Sequence, residues 1–99
     1  MSVLFIAEIA EIRDPDLYAE YVQQVPGVIA RHGGSYLVRG GDPHPVFGGW
    51  SPSRMIIIEF PDRRTAMGCF GSPEYKQIAP LRESSTVSRA VIVDSASDQ

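Results

Sequence analysis

The stretch Arg54-Met55-Ile56-Ile57-Ile58-Glu59-Phe60 decides the fold. Three consecutive isoleucines favour an extended chain, because β-branched side chains sit well on a pleated surface. Alternation then places Ile56, Ile58 and Phe60 on one face and Met55, Ile57 and Glu59 on the other. Both faces are largely apolar, the pattern of an inner strand covered on two sides.

Working outward, Val3–Ile9 has the same character, with Val3, Phe5, Ala7 and Ile9 opposite Leu4, Ile6 and Glu8. Ser35–Arg39 reads as a short strand closed by Gly40-Gly41, and Val87–Val93 as a fourth strand. Asp14-Pro15 is a helix cap followed by proline at the first helical position. Tyr18, Tyr21, Val22, Val25 and Ile29 follow at helical spacing until Gly33-Gly34. Pro26 is expected to kink or split that helix. Asp62 caps a second helix that ends at Gly71, and Ser72-Pro73-Glu74 opens a continuation through Ile78 that Pro80 is expected to break. Residues 42–52 carry three prolines and two glycines and read as a loop.

The order strand, helix, strand, strand, helix, strand predicts a ferredoxin-like α+β fold with a four-stranded antiparallel sheet and both helices on one face. Residues 1–94 form one domain, and 95–99 a frayed tail. The opposite face then carries Leu4, Ile6, Leu37, Met55 and Ile57. Each such side chain left in water forfeits roughly 1.5–3 kcal/mol. A second copy docked sheet against sheet, a homodimer closing into a shared barrel, is the expected remedy.

Composition narrows the function. With 43% hydrophobic and 21% charged residues, the 99-residue chain is suited to folding. Its net charge of -3 argues against a nucleic-acid partner. The one cysteine, Cys69, excludes an internal disulfide framework and a multi-thiolate metal site. His32 and His44 lie far apart without a carboxylate or cysteine at ligand spacing, so no metal is expected. The glycine pairs lack the spacing of a dinucleotide or phosphate loop, and no cofactor is implied. The run MSVLFIAEIAEI reads as a strand rather than a signal peptide. No apolar stretch approaches the roughly 20 residues of a membrane span, so the expected location is the cytoplasm.

HGGSYLVRGG at 32–41, the segment from Gly49-Trp50 to Arg54, IIIEFPD at 56–62 and SPEYKQIAPLR at 72–82 resemble the family known as domain of unknown function 1330. The likeness runs from Ala7 to Val93. It implies membership of the dimeric α/β-barrel superfamily, which holds antibiotic-biosynthesis-type monooxygenases, small-ring isomerases and proteins without a known reaction. Cys69-Phe70 stands where such proteins often carry a tryptophan or another aromatic pair.

Several side chains are candidates for chemistry. Arg39 and Glu59 lie near strand ends on the face expected to meet a partner, as a structural ion pair or as an anion holder with its orienting acid or base. Glu8, near Glu59, would raise one carboxyl pKa by like charge. His32 is a candidate general base, although a helix C-terminus also explains a cationic side chain there. Tyr36 and Trp50 flank the glycine-rich loop as a rim, and Arg54 and Arg82 either bind a carboxylate or tie the loop down. The expected ligand is a small, partly apolar carboxylate, enolate or phenolate. Leu37, Met55 and Ile57 would form its wall and Arg39 its donor. Two functional readings follow: a metabolite-binding protein acting as a cofactor-independent oxygenase or isomerase, or a non-catalytic dimeric binding, regulatory or structural module.

Overall fold

The computed structural model describes residues 2–96. β1 (Val3–Ile12) leads through Asp14 into α1 (Pro15–Arg31), then β2 (Ser35–Gly40) and β3 (Arg54–Phe60). The second helical region is two pieces, α2 (Arg63–Phe70) and α3 (Pro73–Ser85), before β4 (Thr86–Asp94). The strands form one antiparallel sheet in the order β2-β3-β1-β4, so the two most apolar strands are the inner ones. This is the expected ferredoxin-like arrangement.

Caps fix the helix starts. The carboxylates of Asp14 and Asp62 accept from the backbone N–H groups of Leu17 and Thr65, and the Ser72 hydroxyl accepts from that of Tyr75. Neither internal proline ends its helix: α1 runs through Pro26 to Arg31, and α3 runs through Pro80 to Ser85. Each proline costs the helix one backbone bond, of order 3 kcal/mol with its steric effect. The packing of α1 against α3 and of both against the sheet offsets that loss. The expected break at Pro80 is thus corrected, and with it the helix end at Ile78.

The core lies between helices and sheet. Val3, Ile9, Ile58 and Phe60 meet Tyr18, Val25, Val28 and Ile29 of α1, Ala66 and Cys69 of α2, and Tyr75 and Ile78 of α3. The Cα envelope measures 36 × 35 × 15 Å, the thickness of one sheet and one helix layer. Among the described residues no helix covers the other face of the sheet. Leu4, Ile6, Met55 and Ile57 are half-buried there, and Val91 and Val93 are exposed. The chain runs on past β4, where Ser95 is bonded to Ser2 through both backbone and hydroxyl. The rest of the tail expected to fray, 97–99, lies outside the described residues.

Two irregularities matter for the site. The β1–β4 register shifts between Ile9 and Glu11, and the β2–β3 register shifts between Tyr36 and Val38. The second puts Tyr36 opposite Ile58 and Arg39 opposite Ile56, both on the helix-covered face.

Gly34 is where α1 hands the chain to β2, and its hydrogen atom touches the core. A methyl group there would stand 2.6 Å from Ile29 Cγ2 and 2.9 Å from Phe60 Cε1. Both side chains are fully buried and have nowhere to retreat. We expect Gly34→Ala to destabilise the fold by about 1–3 kcal/mol through overpacking. In a domain of this size that is a fall in melting temperature of roughly 4–8 °C per kcal/mol. A thermal melt unchanged from wild type would contradict this packing.

Candidate functional site

A cavity of about 450 Å³ lies between the helix-facing side of the sheet and helices α1 and α3. Its floor follows from strand register. The innermost row is Tyr36, Ile58 and Phe5. The next is Arg39, Ile56, Ala7 and Ala90, and the last is Arg54, Ile9 and Ser88. Space exists because the middle row ends in methyl groups at Ala7 and Ala90. The floor is thus graded, aromatic and apolar toward Phe5 and Phe70, cationic and polar toward Arg54 and Ser88.

The roof supplies hydroxyls. All four tyrosines of the chain, Tyr18, Tyr21, Tyr36 and Tyr75, line the cavity. Tyr21 and Tyr75 share a hydroxyl–hydroxyl bond of 2.8 Å. Arg82 donates from Nε to the Tyr75 hydroxyl at 3.3 Å and from Nη1 to Ser88 Oγ at 3.1 Å. Burial, reinforced by Tyr75, pushes the Tyr21 phenol far above its ordinary range. Burial likewise pushes Tyr36 up to about 12. These phenols stay protonated and act as donors, not bases.

Two other arginines have no such commitments. The Arg39 guanidinium lies 5.1 Å from the centre of the Tyr36 ring, and that of Arg54 lies 5.7 Å from the centre of the Tyr18 ring. Among the described residues no carboxylate lies within ion-pair distance of either. Arg54 Nε is sealed from solvent and has no hydrogen-bond partner. Gly40 makes room for this guanidinium: a side chain there would begin 3.4 Å from Arg54 Cζ, on a backbone with φ +97°. Among the described residues no aspartate, glutamate or histidine lines the cavity. Its polar wall is made of donors and positive charge.

The candidate residues therefore separate into three groups. Tyr36, Arg39, Arg54 and Arg82 are brought together in the cavity. Glu8 and Trp50 meet on the opposite face of the sheet. Glu59 and His32 line neither place. Glu59 pairs across the strands with Leu4 and Ser35 on the uncovered face, and His32 Nδ1 bonds the Val28 carbonyl oxygen at 2.9 Å at the end of α1. The expected Arg39–Glu59 pairing is corrected by the register shift at Leu37, which sends Arg39 to the helix side. Leu37 is exposed, and Met55 and Ile57 keep their expected place on the uncovered face, so none of the three walls this cavity.

On the uncovered face Glu8 is 8% exposed. Its carboxylate accepts from the Trp50 indole N–H at 2.7 Å and from Arg89 Nε at 2.6 Å. Trp50 thereby ties the 41–53 loop to β1. Arg89 escaped the sequence reading because a solvent-facing arginine on an edge strand carries no local signal. Tyr18, Tyr21 and Tyr75 did carry one: three phenols at core positions require partners for three hydroxyls. Cys69 is fully buried, and burial pushes its thiol up to about 11, so it is no nucleophile. Among the described residues no three His, Cys, Asp or Glu side chains gather as a metal site.

The model of the family described as domain of unknown function (DUF1330) matches residues 2–96. The chain belongs to that family. No curated protein matches it. Among solved structures it is similar to RPA0582 of Rhodopseudomonas palustris, a protein of unknown function, with a TM-score of 0.76 and 18% identity over 95% of this chain and 82% of that one. It is also similar to SnoaB, a cofactor-independent oxygenase from Streptomyces nogalater, with a TM-score of 0.69 and 13% identity over 95% and 92% of the two chains. A dimeric protein of unknown function with a ferredoxin-like fold, from Bacteroides fragilis, gives 0.67 and 12% over 95% and 96%. At these identities the likeness is one of fold. No helix among the described residues is long and apolar enough to cross a membrane.

The Glu8 clasp has a pH signature. Hydrogen bonds from Trp50 and Arg89 hold the Glu8 carboxyl below its ordinary value of 4.5. A carboxyl lowered in the folded state adds stability above its unfolded pKa and loses it as pH falls through the folded one. Glu8→Gln should therefore be less stable than wild type at neutral pH, with the gap closing below pH 4.5. Urea denaturation across that range tests it, and a gap independent of pH would remove the clasp from the account.

Proposed function

We propose that this protein is a homodimer in which each subunit binds a small, partly apolar, anionic metabolite between its sheet and helices. The observation that carries the ligand is the composition of the cavity wall: arginines and phenolic hydroxyls on one side, aromatic and aliphatic groups on the other, and no carboxylate among the described residues. Two unpaired guanidiniums on one sheet face repel each other until an anion lies between them. A volume near 450 Å³ suits a small organic acid.

The dimer reading rests on the uncovered apolar face and on similarity to proteins described as dimeric. Sedimentation equilibrium at micromolar protein should give twice the chain mass. Ile57→Asp should yield monomer or unfolded chain, because it sets an unpaired charge in the interface. A folded wild-type monomer at that concentration would defeat the proposal.

Both reactions suggested by sequence, oxygenation without a cofactor and isomerisation, pass through a substrate anion, which a wall of donors can stabilise. Forming that anion by proton transfer needs a base within reach, and among the described residues no carboxylate or imidazole lines the cavity, so either reaction takes a substrate that is already ionised. SnoaB is a cofactor-independent oxygenase on a similar fold. The alternative is a non-catalytic receptor. The single buried thiol suits a reducing compartment, and we place the protein in the cytoplasm.

Ala90→Leu tests the site directly. Leucine would reach from the exposed edge of the floor at Ala90 into the space above the middle row. Calorimetric titration against a panel of small aromatic and aliphatic acids should show binding to wild type and at least a tenfold loss in the variant, with its melting temperature kept. Equal affinities would place the ligand elsewhere.

A further inference from the structure

Resting on that reading, we infer that Arg39 and Arg54 form a two-guanidinium clamp selecting ligands that already carry a carboxylate. The clamp comes from register. Arg39 lies opposite Ile56, two residues from Arg54 on the neighbouring strand, so the two arginines are diagonal neighbours on one face. Each guanidinium lies near an aromatic ring, Tyr36 or Tyr18, which limits the directions it can point. Arg82 is excluded from this role, because its Nε and Nη1 already serve Tyr75 and Ser88. Among the described residues Arg54 has neither a hydrogen-bond nor an ion-pair partner. Its Nε is buried without one, so its terminal nitrogens are the part left to meet an anion.

The head group must arrive charged. A phenol or enol would have to lose a proton on binding, and among the described residues no carboxylate or imidazole in the wall can take it. The phenols themselves are held protonated by burial. A carboxylate is ionised at neutral pH before it binds and matches the planar fork of arginine with two parallel bonds. Its apolar body would then lie over Ala7 and Ala90 toward Phe5 and Phe70. Gly40 borders the Arg54 guanidinium at van der Waals distance, on a backbone whose φ of +97° side chains rarely adopt.

The test uses 1-naphthoate and its neutral counterpart 1-naphthalenemethanol, titrated into the full-length protein by calorimetry. Wild type should bind the acid at least tenfold more tightly than the alcohol, with affinity falling as salt rises. Arg54→Lys keeps the charge but loses the fork and should weaken the acid at least tenfold, with little change for the alcohol. Arg39→Gln should act in the same direction. Glu59→Gln and His32→Gln, outside the cavity, should leave both affinities unchanged. Equal binding of acid and alcohol, no binding of the acid, or an Arg54→Lys protein that binds the acid like wild type would overturn the clamp. If Ala90→Leu still abolishes binding of other acids in that case, the cavity reading survives and only the clamp falls. If Ala90→Leu binds 1-naphthoate normally, the cavity reading itself fails.

Discussion

One layer of helices can cover only one face of a sheet. The inner strands of this protein are apolar on both. Much of the molecule is arranged around that mismatch. Facing the helices, the chain does not fill all the space it encloses, leaving a cavity above Ala7 and Ala90. Away from them, Leu4, Ile6, Met55 and Ile57 are only half-covered, and the one strong polar arrangement among them is Glu8 held by Trp50 and Arg89. A chain of 99 residues has little core to spare. A cavity inside the subunit is easier to maintain if further apolar burial is found in a dimer interface.

The architecture was largely legible in the sequence because its signals are local and repeated. RMIIIEF alternates without interruption, and its phase is the one observed. Three capped helix starts, at Asp14, Asp62 and Ser72, stand where serine and aspartate precede a proline or a helical run. Pro80 misled for the opposite reason. Proline is a strong local signal, but Pro26 and Pro80 sit in helices whose stability comes from packing that no local window contains.

The site was legible in membership rather than arrangement. Tyr36, Arg39, Arg54 and Arg82 could be singled out as side chains needing an explanation, and the fold brings all four to one cavity. Their neighbours could not be foreseen, because a single extra residue near Leu37 moves Arg39 across the sheet. Such a shift in an edge strand has no compositional mark. It also separates Arg39 from Glu59, which changes the chemistry from a paired acid and base to a cationic wall.

The distribution of aromatic residues makes the protein its own two-channel reporter. The sole tryptophan touches Glu8 on the uncovered face, while every tyrosine lies along the cavity on the other side of the sheet. Indole emission therefore reports on the loop clasp and on whatever meets that face, and phenol absorbance reports on the cavity. A small molecule that perturbs one signal and spares the other reveals its side of the sheet without a label.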